Sequence, residues 1–559
     1  MQRGQAISFA RIVRNTATAG TGVAIAYLLY CLVLQASTGA WDAAFVSYPD
    51  EPSHFVSSVM IRDYLASGLS TPPLQFASDY QRHYPFFAVG YWPPLLYLIT
   101  GLVFLVAGVG RFQALLVSAA AAVGSAWLVY GLVRRRAGSA AACCAGLLFL
   151  SLPEVQHWTT AVMTDQMVVC FCLAAGVRVL AYLERPTVRN AVYCGVCCAC
   201  ATLTKYSGAY ICLVPLAAVL VERRFDVLRK HSFWALHGVI ILLVGPWVVW
   251  TANWYSVGLP QAQSATVFSR VVVCIGEAFG VFPPAIAAVV VAGLVAALVA
   301  RRAWYADLTV LTLMTAGSLA LVVASPIDPE PRHVLGVAAT LLAISFAGLS
   351  AGAGLSAGAG WSARWFAGRP ATSERFLWRG VKAGTLVPVC AAVLTAVMLV
   401  TQWGAYKKPT EYPIRRVVSA IVGRPGRADK RILVASDLEG PMIAEFAIQD
   451  RHRPGYQLVR PTKMFSQQDW FGRHYVLKYR TEKDLAAALK NDPVDVIIWH
   501  RRAAESLSPH ERLMAEMLEE ERDSWRSAAL PGLSDAERAA WSIYEHIPDD
   551  QIPLARKRP

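Results

Sequence analysis

Long apolar runs separated by short basic clusters dominate this chain, and they decide what it can fold into. A helix needs about twenty apolar residues to cross a hydrocarbon core roughly 30 Å thick. Apolar runs fall approximately at 16–38, 85–108, 112–133, 138–153, 163–183, 189–203, 205–221, 233–254, 271–299, 307–325, 333–350 and 383–404. Of the 559 residues, 55% are hydrophobic and 16% charged. Soluble globular proteins carry roughly 25% charged residues. The sequence therefore predicts a polytopic α-helical membrane protein with about 11 to 13 spans. The Arg3, Arg11 and Arg14 cluster precedes a run too long for a signal-peptide core, which predicts an uncleaved first helix with a cytoplasmic N-terminus.

The net charge of +14 raises a nucleic-acid reading. The basic residues sit mainly at the ends of apolar runs, as the positive-inside rule requires, and no basic helix with interleaved aromatics accompanies them. No nucleic-acid partner is expected. The twelve cysteines fall in apolar stretches, so Cys194, Cys197, Cys198 and Cys200 read as small packing residues rather than a metal site.

Charge also sets the orientation. Arg134–Arg136, Arg185 with Arg189, the 222–230 stretch, Arg301–Arg302 and the Gly/Ser-rich segment 350–382 read as cytoplasmic. The loops at 39–84, 154–165, 255–270 and 325–333, and the region beyond 405, then face outward. This requires an odd number of crossings within 85–133, where two apolar runs lie. A re-entrant run, a missed crossing or an exceptional Arg cluster would each reconcile them. The expected division is a membrane domain over 1–404, with its first outer loop at 39–84, and a small outer α/β domain over 405–559. Strand-like RILVAS (431–436), YVLKY (475–479) and VDVIIW (494–499) alternate there with helix-like 482–491 and 509–524.

Four groups of residues are candidates for chemistry. Asp50 and Glu51 open a segment in which Val56, Val59, Met60 and Tyr64 recur at helical spacing, which predicts an amphipathic helix in the interface plane. The two acids fit a helix N-terminus equally well. Asp165 opens an apolar run, where an acid is costly unless partnered. Lys205 breaks the positive-inside pattern; it could bind a phosphate or simply snorkel. Glu330, Arg332 and His333 stand just before a span, in a turn that could equally be an ordinary solvated one. Tyr84, Tyr91 and Trp92 read first as interfacial anchors. Acids and bases gathered on one side suit transfer from a phosphate-linked sugar: a base activates the acceptor, and cations hold the leaving phosphate. Asp50, Asp165, Lys205 and Arg332 are expected to line one outward-opening pocket.

The order of these motifs resembles the GT-C superfamily, in the branch of protein O-mannosyltransferases and the lipid A aminoarabinose transferase. Asp50–Glu51, LASG (65–68), GYW (90–92), TTAVMTDQ with Asp165, LTK (203–205), Pro246–Trp247, Arg332 and RILVASD (431–437) follow in sequence. The resemblance implies a glycosyltransferase of the inner membrane that takes its sugar from a polyprenyl-phosphate donor on the periplasmic face. It passes that sugar to a lipid, glycan or protein acceptor of the cell envelope. It implies Asp50, Glu51 and Asp165 as the catalytic carboxylates, Asp50 with Glu51 as base or acceptor-orienting group and Asp165 as a second acidic contact. It implies Lys205, Arg332 and His333 as donor-phosphate ligands. His54, Arg82, His83, Tyr84 and Glu330 are candidate substrate contacts. No cofactor is implied; a divalent metal is compatible with the superfamily, without a decisive ligand set. HYPFFAV (83–89) lacks the lysine-proline pair of the lipid A enzyme, so aminoarabinose is not assigned. The alternative is a transporter or flippase of a lipid-linked sugar, which would place its ionisable residues near the bilayer midplane between repeated halves.

Overall fold

The computed structural model describes residues 9–86, 90–258, 266–299, 305–325, 327–358, 383–404, 413–422, 430–468 and 474–547. The basic residues Arg301–Arg302 and those between 359 and 382 lie outside the described residues, as does 259–265 of the third expected loop. The chain divides into two compact units.

The first unit takes in Met1–Ala40, Trp92–Leu95 and Leu115–Lys408, and it is helical. Helix α1 covers Phe9–Ser37. Helices α2 (Glu51–Ala66), α3 (Pro73–His83) and α4 (Leu95–Ala107) precede α5 (Arg111–Ser151), α6 (Pro153–Thr159), α7 (Asp165–Glu184) and α8 (Val188–Thr204). Most of α2 to α4 belongs to the second unit. The 41 residues of α5 would make a rod about twice the bilayer core if straight. Gly138, at φ 81 and ψ 172, breaks it directly after Arg134–Arg136. That left-handed backbone suits glycine, which has no Cβ to clash.

Six helices among the described residues are long and apolar enough to cross a membrane, and a bent pair at 267–299 makes up to seven. Four shorter apolar helices stand beside them. The twelve runs therefore do not each become a bilayer-length helix. Of the run 85–108, only the 13-residue α4 is a long helix. It rises about 20 Å, short of the hydrocarbon core.

The 20 residues of α7 do match that thickness. At its C-terminal end Arg135 pairs with Glu184 at 2.8 Å, and Arg136 with Asp307 at 2.6 Å. Asp165 stands at its other end, about 30 Å away.

The second unit takes in Trp41–Tyr91, Leu96–Ala114 and Pro409–Pro559. The C-terminal part has strands β1 (Arg431–Ala435), β2 (Gln457–Val459), β3 (Ser466–Gln467), β4 (Val476–Leu477), β5 (Val496–His500), β6 (Trp525–Ala528) and β7 (Trp541–His546). Five form one sheet in the order β2-β1-β5-β7-β6, and β3 pairs with β4. β1 runs parallel to β2 and β5, while β7 is antiparallel to β5 and β6. The three expected strands and both expected helices are present, the helices as Glu482–Asn491 and Pro509–Glu520.

Helix α2 forms where expected, but it is not an interfacial helix with a wet face. Every residue from Glu51 to Met60 is buried. It packs against α4 and the helix Glu439–Gln449. A Cβ on Gly101 of α4 would stand 3.1 Å from the Ser58 carbonyl oxygen, so the close approach of the two backbones favours glycine there. Ser57 and Ser58 donate to the carbonyls of Ser53 and His54 at 2.7 and 2.8 Å, which removes their need for water.

Candidate functional site

In the first unit, the ends of α7 and α8 meet. α8 stops at Thr204, and Lys205 turns extended, at φ −156 and ψ 137, before a 3-10 turn over Tyr206–Cys212. Lys205 Nζ reaches back to Asp165 Oδ1 at 2.7 Å. Asp165 opens α7 and is 1% exposed, so the helix N-terminus and the lysine share the burden of its charge. Its second oxygen accepts no hydrogen bond among the described residues.

Arg332 and His333 stand within electrostatic range of this pair. They come from the turn Pro331–Val334, where the Glu330 amide donates to His333 Nδ1 at 3.2 Å. Arg332 reaches Glu330 at 2.7 Å and lies over Trp158, 5.7 Å from the ring centre. Trp158 donates to Glu154 at 3.0 Å, and burial holds the Glu154 carboxyl above its ordinary range. The structure thus gathers Asp165, Lys205, Glu330, Arg332 and His333 from distant parts of the sequence. A lysine and an arginine side by side can hold an anionic oxygen, and Arg can do so through two parallel bonds.

Sequence reasoning missed Arg270. Its guanidinium donates to the carbonyls of Val323 at 2.9 Å, Val322 at 3.2 Å, Ile327 at 2.8 Å and Ser325. These end the helix Tyr305–Ala324 and begin the segment that leads to Glu330. The available signal was a lone arginine immediately before the apolar run 271–299.

In the second unit, Asp50 occupies the N-cap position of α2 without a capping bond from its side chain, and it is partly exposed. Glu51 is different. It pairs with Arg111 at 2.7 Å and accepts from the Ser47 amide at 3.2 Å. Arg111 also lies over the Phe45 ring at 4.7 Å. Arg111 was missed because a single arginine between two apolar runs looks like a span boundary. One turn along, buried His54 contacts the Tyr97 hydroxyl through Nδ1 at 2.9 Å.

The remaining predicted contacts lie along the C-terminal segments. Arg82 is exposed and pairs with Asp79 at 3.2 Å. His83 Nδ1 meets the Tyr456 carbonyl at 3.2 Å. Tyr84 is buried and donates to Asp450, which corrects its reading as an interfacial anchor. Burial first, then the neighbouring Asp450 charge, pushes its hydroxyl well above the ordinary range, so it remains a donor. Nearby, Asp63 accepts from Tyr80 at 3.0 Å and faces Arg453 at 3.3 Å. Among the described residues no group of three or more His, Cys, Asp or Glu is placed to hold a metal ion.

A family model described as dolichyl-phosphate-mannose-protein mannosyltransferase matches residues 92–250. That stretch holds Asp165, Lys205 and Pro246–Trp247. No curated protein matches the chain in a sequence search. Similar solved structures include ArnT from Cupriavidus metallidurans bound to undecaprenyl phosphate, with a TM-score of 0.57 and 15% identity over 96% of this chain and 100% of that one. The same protein in its apo state gives 0.55 and 17% over 95% and 99%. The oligosaccharyltransferase AglB from Archaeoglobus fulgidus, in complex with an inhibitory peptide and a dolichol-phosphate, gives 0.50 and 11% over 95% and 75%. At these identities the likeness is one of fold. The family model bears out the resemblance to protein O-mannosyltransferases over 92–250, and the solved structures bear out the fold.

Proposed function

We propose that this chain is an integral-membrane glycosyltransferase that moves a sugar from a polyprenyl-phosphate donor to an acceptor on the outer face of the inner membrane. One observation supports it most. The pair of buried Asp165 with half-buried Lys205, with Arg332 and His333 in range, sits at one end of a bilayer-length helix, in a fold shared with proteins solved with undecaprenyl phosphate and dolichol-phosphate.

Lys205 and Arg332 hold the donor phosphate, and His333 and Glu330 fix the turn that presents Arg332. Asp50 takes the proton from the acceptor hydroxyl or amine as that atom attacks the anomeric carbon. The bond from that carbon to the phosphate oxygen breaks, and polyprenyl phosphate leaves with the electron pair. Growing charge on the phosphate strengthens its contacts with the two cations, which lowers the barrier. Glu51 orients rather than reacts, because Arg111 holds it. We read the 13-residue α4 as a re-entrant segment rather than a crossing, a reading that fits an odd number of crossings in 85–133. Asp50, Asp165, Arg332 and 405–559 then lie on the periplasmic side.

The test is reconstitution of the purified chain in sealed lipid vesicles with a polyprenyl-phosphate sugar and an envelope extract as acceptor. Release of polyprenyl phosphate coupled to sugar transfer is expected. Movement of the intact donor across vesicles without transfer would overturn the proposal in favour of a flippase.

A further inference from the structure

The sheet of the C-terminal region contains a topological switch point. From β1 the chain runs through the helix Glu439–Gln449 to β2 on one side; from β5 it runs through the helix Pro509–Glu520 towards β6 on the other. β1 and β5 are parallel neighbours, with Ala435 opposite Trp499. Leu433, Ala435, Ile497 and Trp499 share one buried layer with Met514, Met517 and Leu518 of the second helix. The alternate residues Ile432, Val434, Val496 and Ile498 are also buried, so they face the opposite layer. Segments that leave two adjacent parallel strands in opposite directions open a crevice beyond their carboxyl ends, and open α/β sheets bind ligands there.

Ser436 and Asp437 follow β1 into this crevice, and Arg501 and Arg502 follow His500 at the end of β5. His500 Nδ1 lies 3.0 Å from Asp437 Oδ1, Ser436 donates to the same oxygen at 3.3 Å, and Arg502 Nε faces it at 3.6 Å. The His500 ring stacks on Trp541, with centres 4.2 Å apart. Glu511 holds Arg502 from behind. The contacts of His500, Ser436 and Arg502 with Asp437 use its Oδ1, and its side chain is 49% exposed. The His500 hydrogen bond and the Arg502 charge hold the carboxyl below its ordinary range, so it is ionised at neutral pH. Arg501, between His500 and Arg502 in the chain, is exposed.

This chemistry selects among ligands. The turn after β1 reads Ser436-Asp437-Leu438-Glu439, with no glycine-rich cradle, and its acidic tip repels the phosphates of a nucleotide. A carboxylate oxygen beside guanidinium groups instead suits vicinal hydroxyls, which donate to the one and accept from the other. We propose that the crevice between β1 and β5 binds a saccharide, held by Asp437 Oδ2 with Arg501 and Arg502; only the source of that saccharide, as acceptor glycan or donor sugar, rests on the transferase reading.

The test uses the full chain in nanodiscs on an array of envelope, N-linked and O-linked oligosaccharides, with melting curves for each variant. At least one saccharide should bind. Asp437→Asn should weaken it about tenfold or more, the scale of a lost charged hydrogen bond. Arg501→Ala should weaken it less, and Arg526→Ala, exposed on β6, should leave it unchanged. In transfer assays, a raised KM for the acceptor alone assigns the acceptor glycan, and a raised KM for the donor alone assigns the donor sugar. Binding that is absent, or unchanged in both folded Asp437→Asn and Arg501→Ala, overturns the proposal even where transfer is seen. Asp437-dependent binding without any transfer overturns the transferase reading and leaves the crevice standing.

Discussion

Arg111 and Glu51 form a salt bridge of 2.7 Å with both side chains at or below 1% exposure, one residue from Asp50. Burying two charges costs desolvation that their attraction barely offsets, so such a pair is a poor source of net stability. What it does supply is geometry: it ties the first turn of α2 to the start of α5. Asp50, at the cap of that turn, inherits a fixed position.

Removing one partner should expose the cost. Arg111→Met strands the Glu51 carboxylate and should destabilise the fold by about 3–5 kcal/mol. The double variant Glu51→Gln/Arg111→Met should recover much of that loss, because no charge is then left unpaired. Denaturant or thermal unfolding of the three variants measures the coupling. Additive effects would mean that the two residues do not act as a pair.

Asp50→Asn should abolish transfer and leave donor binding largely intact. Asparagine keeps the size and one acceptor oxygen but takes no proton, and general-base help is worth roughly 10²- to 10⁴-fold. Retention of more than about a tenth of wild-type turnover would reduce Asp50 to a helix terminus.

Lys205→Ala and Arg332→Ala should raise the donor KM and lower turnover as well, since leaving-group charge grows in the transition state. Lys205→Ala also strands the buried Asp165 carboxylate, so Lys205→Ala/Asp165→Asn is the control for folding. Donor titrations against each variant would show it; an unchanged donor KM in both single variants removes these cations from the phosphate site.

His510 makes a pH prediction. Burial is the main force holding its imidazole below the ordinary value of 6.5, with Arg502 acting the same way and Glu511 and Glu439 opposing. The unfolded chain therefore binds a proton that the folded chain refuses. Stability should be full above about pH 6.5 and fall as pH drops from there through the folded value. His510→Asn should flatten that part of the melting profile relative to wild type. Parallel profiles for the two proteins would contradict this.

Topology is checked by cysteine labelling in a background lacking the exposed Cys390. A cysteine at exposed Ser506 should react from the periplasm, and one at exposed Arg223 from the cytoplasm. Labelling of position 506 from the cytoplasm alone would reverse the proposed orientation.

Much of this was legible in the sequence, for identifiable reasons. β1 and β5 were readable because buried parallel strands are nearly continuous apolar runs, as in RILVA and VIIWH. The helix Glu439–Gln449 was not, because Gly440 and Pro441 mimic a turn although a first helical turn tolerates proline. A wet face on α2 was not realised because Ser57 and Ser58, polar in the sequence, turn their hydroxyls back onto the helix. Lys205 and Asp165 could be singled out one at a time as misplaced charges. Their pairing could not, because it depends on where α8 ends against α7.

The second unit is assembled from segments that the ribosome makes far apart in time. α2 is buried partly by the helix Glu439–Gln449, yet most of the first unit, Leu115–Lys408, lies between them in the chain. At translation rates of about 5–20 residues per second, the loop waits roughly 15–60 s for its partner. Throughout that interval α2 lacks this part of its final cover, and an immature chain is open to proteases and misassociation. Mutations that slow synthesis or weaken the last domain should therefore lower the yield of protein before they touch its chemistry.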